Sequence, residues 1–381
     1  MSSPAQQAAD ELRWWLRLPP TNLIVRQDHI RFRHAIYLII HQAASVLYDA
    51  NNLPDAMYFP SKLSGAQLAF DALTRGPFHA GTRLWELAST ADEALTWQRA
   101  SALITDVLAI TEMGHAEPSG TVHETASEYS PKQMFSRAEA LAVRLHSLVG
   151  IEAVALGGSL ARGTADTQSD IDIHVFCAVI PSGNVRRNLI ASWPDVQQSP
   201  RIEPACDTVW MDGIMVHLRY WHSEEVDRMF ALYPALPSNM LLAEELQIGK
   251  SLFDPKGRIR LWQQMIEQPP RALVETMMVQ ARRRLSSFRT QWHKACSLHD
   301  PVHQYCLINQ AVHDWLVALY IRNGRFMSTP RWTHRDMADL SFTPDDLDNR
   351  LVDLVDAIEE AGEANMRFGH LEALWEELSN L

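Results

Sequence analysis

The chain has 381 residues, 46% of them hydrophobic, with 34 Lys and Arg against 46 Asp and Glu and a formal net charge of −12. That length suits two or three domains with real cores, the acidic balance argues against extended nucleic-acid binding, and no apolar run approaches the ~20 residues of a membrane span. The opening residues lack the basic-then-apolar layout of a secretion signal. The four cysteines (Cys177, Cys206, Cys296, Cys306) form no CxxC pair, which fits a reducing compartment, so a cytoplasmic location is expected.

Residues 1 to about 112 read as helical. Apolar residues recur at helical spacing from Ile30 to Tyr48 and again from Leu84 to Ile110. Glu112 to Tyr129 is polar with Pro and Gly and reads as a linker. Ser130 then caps a helix, with Pro131 in its first turn and Gln133 completing a capping box. Phe135, Ala138, Leu141, Leu145 and Leu148 form its expected buried face. Ile151–Leu156 and Asp170–Phe176 read as strands, and 186–193 as a short helix. Asp207–Met211 and Ile214–Trp221 read as a hairpin turning at Asp212-Gly213. From about Pro237 the pattern is helical again, through Arg271–His299, Pro301–Asn323 and Leu347–Ala364, and suits a bundle.

The stretch with chemical content is LGGSLARGTADTQSDIDIHVF, residues 156–176. Gly157 and Gly158 allow a tight bend whose backbone approaches a phosphate closely. Asp170 and Asp172 stand at i, i+2 in a β-branched run. On a strand that spacing puts both acids on one face, about 7 Å apart. Paired carboxylates of this kind call for a cation, and Mg²⁺ takes one or two carboxylates together with phosphate oxygens.

This pattern resembles the signature of the DNA polymerase beta-like nucleotidyltransferase superfamily: apolar-Gly-Ser, a spacer of about ten residues, then Asp-apolar-Asp-apolar. Arg162-Gly163 and Ser169 resemble the form seen in small-molecule and uncharacterised bacterial branches. The resemblance implies an α+β fold, in which a small mixed-sheet nucleotidyltransferase domain (131–236) follows an N-terminal helical domain (1–112) and a linker (113–130) and precedes a C-terminal helical bundle (237–381). It implies Mg²⁺-dependent transfer of a nucleoside monophosphate, AMP from ATP, to a hydroxyl of an unidentified small acceptor. Asp170 and Asp172 are then the metal ligands. Gly157, Gly158, Ser159, Arg162 and Ser169 are the nucleotide-binding set, with Arg162 equally suited to a structural salt bridge with Asp166 or Asp170. The alternatives are nucleotidylation of a protein or a tRNA end, and a nucleotide-binding regulator that does not turn over.

The superfamily carries a third carboxylate on a later strand. Here Val216-His217-Leu218 occupies that place. His217 is a candidate base, since imidazoles titrate near neutrality. It is as readily a half-buried strand histidine with a satisfied hydrogen bond. Asp207 or Asp212 in a shifted register, or Glu244 or Glu245 from the C-terminal region, are the other candidates.

Weaker features remain. His293, His299 and His303 lie near Cys296 and Cys306 without the spacing of a closed zinc site. Arg282–Arg284 reads as a solvated face or a contact for a triphosphate or an acidic acceptor. Trp14-Trp15 suits packing in the N-terminal region. Tyr37–Ala43 and Tyr305–Ala311 are alike, which suggests a duplicated helical module on both sides of the sheet domain, or chance likeness between amphipathic helices.

Overall fold

A computed structural model gives the three-dimensional structure and describes residues 4–17, 23–24, 28–51, 53, 70, 73–77, 79–111, 129–167, 169–196, 200–231, 240–298, 300–327, 337, 340–356 and 361–379. The expected linker lies almost wholly outside them. In chain order the helices are α1 (Pro4–Arg17), α2 (His29–Ala50), α3 (Ala80–Ser89), α4 (Glu93–Thr111), α5 (Pro131–Leu145), α6 (Gly158–Arg162), α7 (Gly183–Ala191), α8 (Ser223–Ala231), α9 (Met240–Ile248), α10 (Arg258–Met265), α11 (Arg271–Ser297), α12 (Pro301–Arg322), α13 (Leu347–Val355) and α14 (Ala361–Ser379). The strands are β1 (Ile151–Leu156), β2 (Ile171–Cys177), β3 (Arg201–Ile202), β4 (Cys206–Met211), β5 (Ile214–His222) and β6 (Lys250–Phe253). None of the described helices is long and apolar enough to cross a membrane.

Two compact units result. One comprises residues 123–276 with 320–328, the other 1–122, 277–319 and 329–381. The first is built on a six-stranded mixed sheet in the order β3-β4-β5-β2-β1-β6. Only β2 and β5 run parallel; the other pairs are antiparallel. The α+β class is therefore as expected. Side chains alternate across each strand. Ile171, Ile173, Val175 and Cys177 of β2, with Ile214, Val216, Leu218 and Tyr220 of β5, point to one face. There they pack with Met134, Ala138, Leu141, Ala142 and Leu145 of α5. The same alternation sends Asp172, His174 and Phe176 of β2 to the other face.

α5 begins as its sequence dictates. Ser130 Oγ accepts from the Gln133 amide, and the Gln133 side chain accepts in return from the Ser130 amide at 2.8 Å. Leu148 lies past its end. The hairpin turns where Asp212 (φ 48°) and Gly213 (φ 79°) both take the left-handed conformation, as a two-residue Asp-Gly turn requires.

Two expectations change. The stretch after Pro237 is not all helix. β6 pairs antiparallel with β1 through Val154–Phe253 and Leu156–Lys250, so the sheet draws on residues beyond 236. Four residues leave too short a pattern to separate strand from helix. The expected single helix from Leu84 to Ile110 is broken at Thr90. Asp92 Oδ1 there accepts from the Leu95 amide at 2.8 Å and starts α4. The buried Arg33 guanidinium takes the freed carbonyls of Thr90 and Ala91 at 2.8 and 2.7 Å.

In the helical unit, α2 and α12 carry the two similar segments and pack against each other. Tyr37 Oη donates to Gln310 Oε1 at 2.7 Å, and Tyr305 Oη donates to the Arg33 carbonyl at 2.8 Å. The two ends of the chain thus contribute to one unit instead of building two bundles around the sheet, because these long buried helices complete each other's core. Trp15 Nε1 donates to Gln42 at 2.9 Å, while Trp14 stays 38% exposed. Arg282–Arg284 is exposed, with Arg284 paired to Asp314 at 2.8 Å.

His303 is 1% exposed, and neither ring nitrogen has a hydrogen-bond partner. Burial pushes its pKa down from 6.5 to about 4. Burial and the stacked His313 ring also lower His34. The unfolded chain therefore binds more protons than the folded one between those two values. The helical unit is expected to lose stability as pH drops through 6.5 and to level off near 4, with His303 contributing about 3 kcal/mol of the loss. Hydrogen exchange of the α12 amides at pH 7 and pH 5 checks this, and His303→Leu should flatten part of the slope.

Candidate active site

The loop from β1 into β2 is shaped by two glycines. The Gly157 amide donates to the Asp172 carbonyl at 2.9 Å, which holds the bend against β2. Gly158 has φ +64°, and a Cβ built on it would overlap the Asp172 carboxylate. Only glycine satisfies both the dihedral and the space. The bare Cα of Gly158 thus makes the place into which Asp172 fits.

Asp170 and Asp172 lie on one face, as the spacing predicts. Asp172 is paired in register with His217 on β5. His217 Nε2 lies 3.5 Å from Asp170 Oδ2, and an Arg219 guanidinium nitrogen lies 4.0 Å from Asp172 Oδ1. His217 Nδ1 is 3.3 Å from Thr208 Oγ1 on β4. The side chains of Asp170 and Asp172 are 35% and 14% exposed, so the pair opens to solvent on one side.

The remaining nucleotide-binding candidates are placed differently from each other. Gly158's amide donates to Glu245 Oε2 of α9 at 2.6 Å. A Cβ on Gly157 would come within 2.5 Å of that oxygen and 2.7 Å of His174 Nε2. Ser159 follows in α6, and its carbonyl accepts from the Gly163 and Thr164 amides. Arg162 turns to α9: its guanidinium is 2.8 Å from Glu244 and 3.7 Å from Glu245. The acids expected to hold it, Asp166 and Asp170, are not the ones in its salt bridges. Ser169 closes a turn, its Oγ accepting from the Asp166 amide at 2.9 Å and donating to the Asp166 carboxylate at 3.0 Å.

Glu245 is 3% exposed and sits 3.6 Å from His174 Nε2. The Trp221 indole donates to His174 Nδ1 at 3.0 Å. An indole N–H only donates, so Nδ1 is the acceptor and the ring proton is on Nε2, facing Glu245. His174, Thr208, Arg219 and Trp221 escaped the reading of the sequence. The signal was there in part: His174 is two residues past Asp172 and Arg219 two past His217, so each shares its neighbour's face.

Neither strand alternative for a third acid reaches this place. Asp207 pairs in register with Leu218, on the core face. It is 2.7 Å from the buried Arg186. Burial pushes the Asp207 carboxyl up to about 6, with Arg186 pulling the other way. Asp212 is held at the hairpin turn by Arg137 at 2.6 Å. Among the described residues no group of three or more His, Cys, Asp and Glu is placed to hold a metal ion. That covers the histidines and cysteines of α11 and α12, with His299 outside the described residues. The donor set that remains, two carboxylates on one open face, fits a hard cation that takes its other ligands from phosphate and water.

Residues 139–199 match the family model of a nucleotidyltransferase domain. The matched span contains the glycine bend and both aspartates, and ends before β4 and β5. Among solved structures, a nucleotidyltransferase-like protein from Exiguobacterium sibiricum 255-15 is similar at 12% identity with a TM-score of 0.33, over 64% of this chain and 75% of that one. Comparison with curated proteins gives no match.

Proposed function

We propose, from the match of residues 139–199 to a nucleotidyltransferase domain, that the protein moves AMP from ATP to a hydroxyl of a small acceptor and releases pyrophosphate. The observation that carries this is the Asp172 carboxylate seated over the bare Cα of Gly158, on one face with Asp170 and His217. Asp170 and Asp172 would hold Mg²⁺, which supplies neutralisation of the triphosphate charge when bound. Ser159, next to the bend, would offer its hydroxyl to a phosphate. The acceptor oxygen bonds to the α-phosphorus, the bond from that phosphorus to the bridging oxygen breaks, and the acceptor proton must leave. His217 is the group for that proton, since Glu244 and Glu245 are engaged by Arg162 and the Gly158 amide. The net charge of −12 favours a small acceptor over a nucleic acid.

Pyrophosphate release with each nucleoside triphosphate and a panel of hydroxyl acceptors tests the proposal. Release should require a divalent ion and vanish in Asp170→Asn. No release with any acceptor, together with nucleotide binding unaltered in that variant, would sink it. A second reading, binding without turnover, is favoured by one observation: Glu245 already holds the Gly158 amide that a phosphate would use. Tight nucleotide binding with no pyrophosphate under any condition supports that reading.

A further inference from the structure

We infer that Arg219 is the phosphate-binding cation of this site, supplying from the protein a positive charge that phosphoryl-transfer centres with two metal ions take from the second ion. The inference rests on the nucleotidyl-transfer reading and assigns a role to a residue outside the motif.

The argument begins with where positive charge can come from. A triphosphate needs cations or amide donors along its oxygens, because charge builds there as the leaving group departs. The two glycine amides of the bend are already engaged. The Gly157 amide goes to the Asp172 carbonyl and the Gly158 amide to Glu245. Arg162 is 13% exposed and locked to Glu244 at 2.8 Å. Arg186 lies on the opposite face with Asp207, and Arg258 is occupied by Glu152 and Asp227.

Arg219 differs in each respect. It stands two residues after His217 on β5, so it shares the face of the two aspartates. Parallel pairing sets it beside His174, two residues along from the Asp172–His217 pair. Its side chain is 32% exposed, and a guanidinium nitrogen lies 4.0 Å from Asp172 Oδ1. That distance is an ion pair without a hydrogen bond, so the planar fork keeps its donors for a ligand. A guanidinium of this kind matches two phosphate oxygens at once.

The same placement argues against a second metal ion. Two-metal centres bracket the attacking and leaving oxygens with cations about 3.5–4 Å apart. Here the strand next to the acid pair offers His217 and Arg219. Neither is a hard anionic ligand. One divalent ion on Asp170 and Asp172 with one arginine on β5 gives the triphosphate charge on two sides.

The test measures binding apart from turnover. Inorganic tripolyphosphate and ATP are titrated calorimetrically into the full chain, once in EDTA and once with Mg²⁺. Arg219→Gln is expected to weaken tripolyphosphate binding in EDTA by at least about tenfold, the loss of one charged hydrogen-bonded contact, with an unchanged melting temperature. In the wild-type protein, tripolyphosphate should slow phenylglyoxal modification of Arg219, read by mass spectrometry. Equal affinities in Arg219→Gln and wild type, or modification of Arg219 at the same rate with and without tripolyphosphate, would overturn the inference while leaving nucleotidyl transfer standing. Failure of the wild-type protein to bind either compound, with or without Mg²⁺, removes the transfer reading and this inference with it.

Discussion

Asp172→Asn is expected to lower pyrophosphate release by at least about 10³-fold and to leave the protein folded. Asparagine keeps the shape that fits over Gly158 but removes the charge, and loss of one group that stabilises transition-state charge costs about 10²–10³ in such sites. Here the same carboxylate is also half of the proposed cation site, which pushes the effect to the upper end. Stability should hardly change, because Asp172 is partly exposed and its ion pair with Arg219 is 4.0 Å long. Asp207→Asn is the matched control. It alters an aspartate on the neighbouring strand that faces the core with Arg186, so the melting temperature should fall while the rate of the folded protein holds. A pyrophosphate-coupled assay with melting temperatures on all three proteins checks the pair. A rate in Asp172→Asn within tenfold of wild type would mean that this acid is not part of the chemistry.

The second large effect belongs to Glu245. Glu245→Ala is expected to destabilise the sheet unit by about 3–5 kcal/mol, the range for removing one partner from a buried charged contact. The change deprives the Gly158 amide of its acceptor at 2.6 Å, takes one of two carboxylates from Arg162, and leaves His174 Nε2 facing a void. The Gly158 amide and His174 Nε2 are buried donors that water cannot easily reach. Hydrogen exchange is the measurement that isolates this unit, since the chain has two and a single unfolding curve blends them. Amides of residues 156–162 should exchange about 10² to 5 × 10³ times faster in Glu245→Ala. Glu245→Gln, which keeps an oxygen for the Gly158 amide, should lose less. Unchanged exchange in both would show that the bend holds itself without α9.

Residue by residue, what was legible followed a physical rule. The start of α5 was readable because a capping box is local: Ser130 and Gln133 satisfy each other within one turn. The hairpin was readable because Asp-Gly tolerates positive φ where few pairs do. The break at Thr90 was only half legible. Asp92 is a recognisable cap, but the carbonyls released there needed a buried arginine from α2, 57 residues away in the chain. β6 was not legible, since four residues on a sheet edge carry no period of their own.

The site divides in the same way. By itself the sequence determined that two aspartates share a face and that a glycine bend precedes them, because strand alternation and the dihedral freedom of glycine are properties of neighbouring residues. Its resemblance to the superfamily also led to the expectation of an acid at the place where His217 stands. Only the tertiary structure decided which charges those groups meet. Arg162 went to Glu244, the Gly158 amide to Glu245, and Arg219 came beside Asp172. The partners of a buried charge are fixed by sheet order and by the packing of α9, which bring together residues about 50 to 90 positions apart, and the energy of such a pair depends on distance and burial that no local pattern encodes.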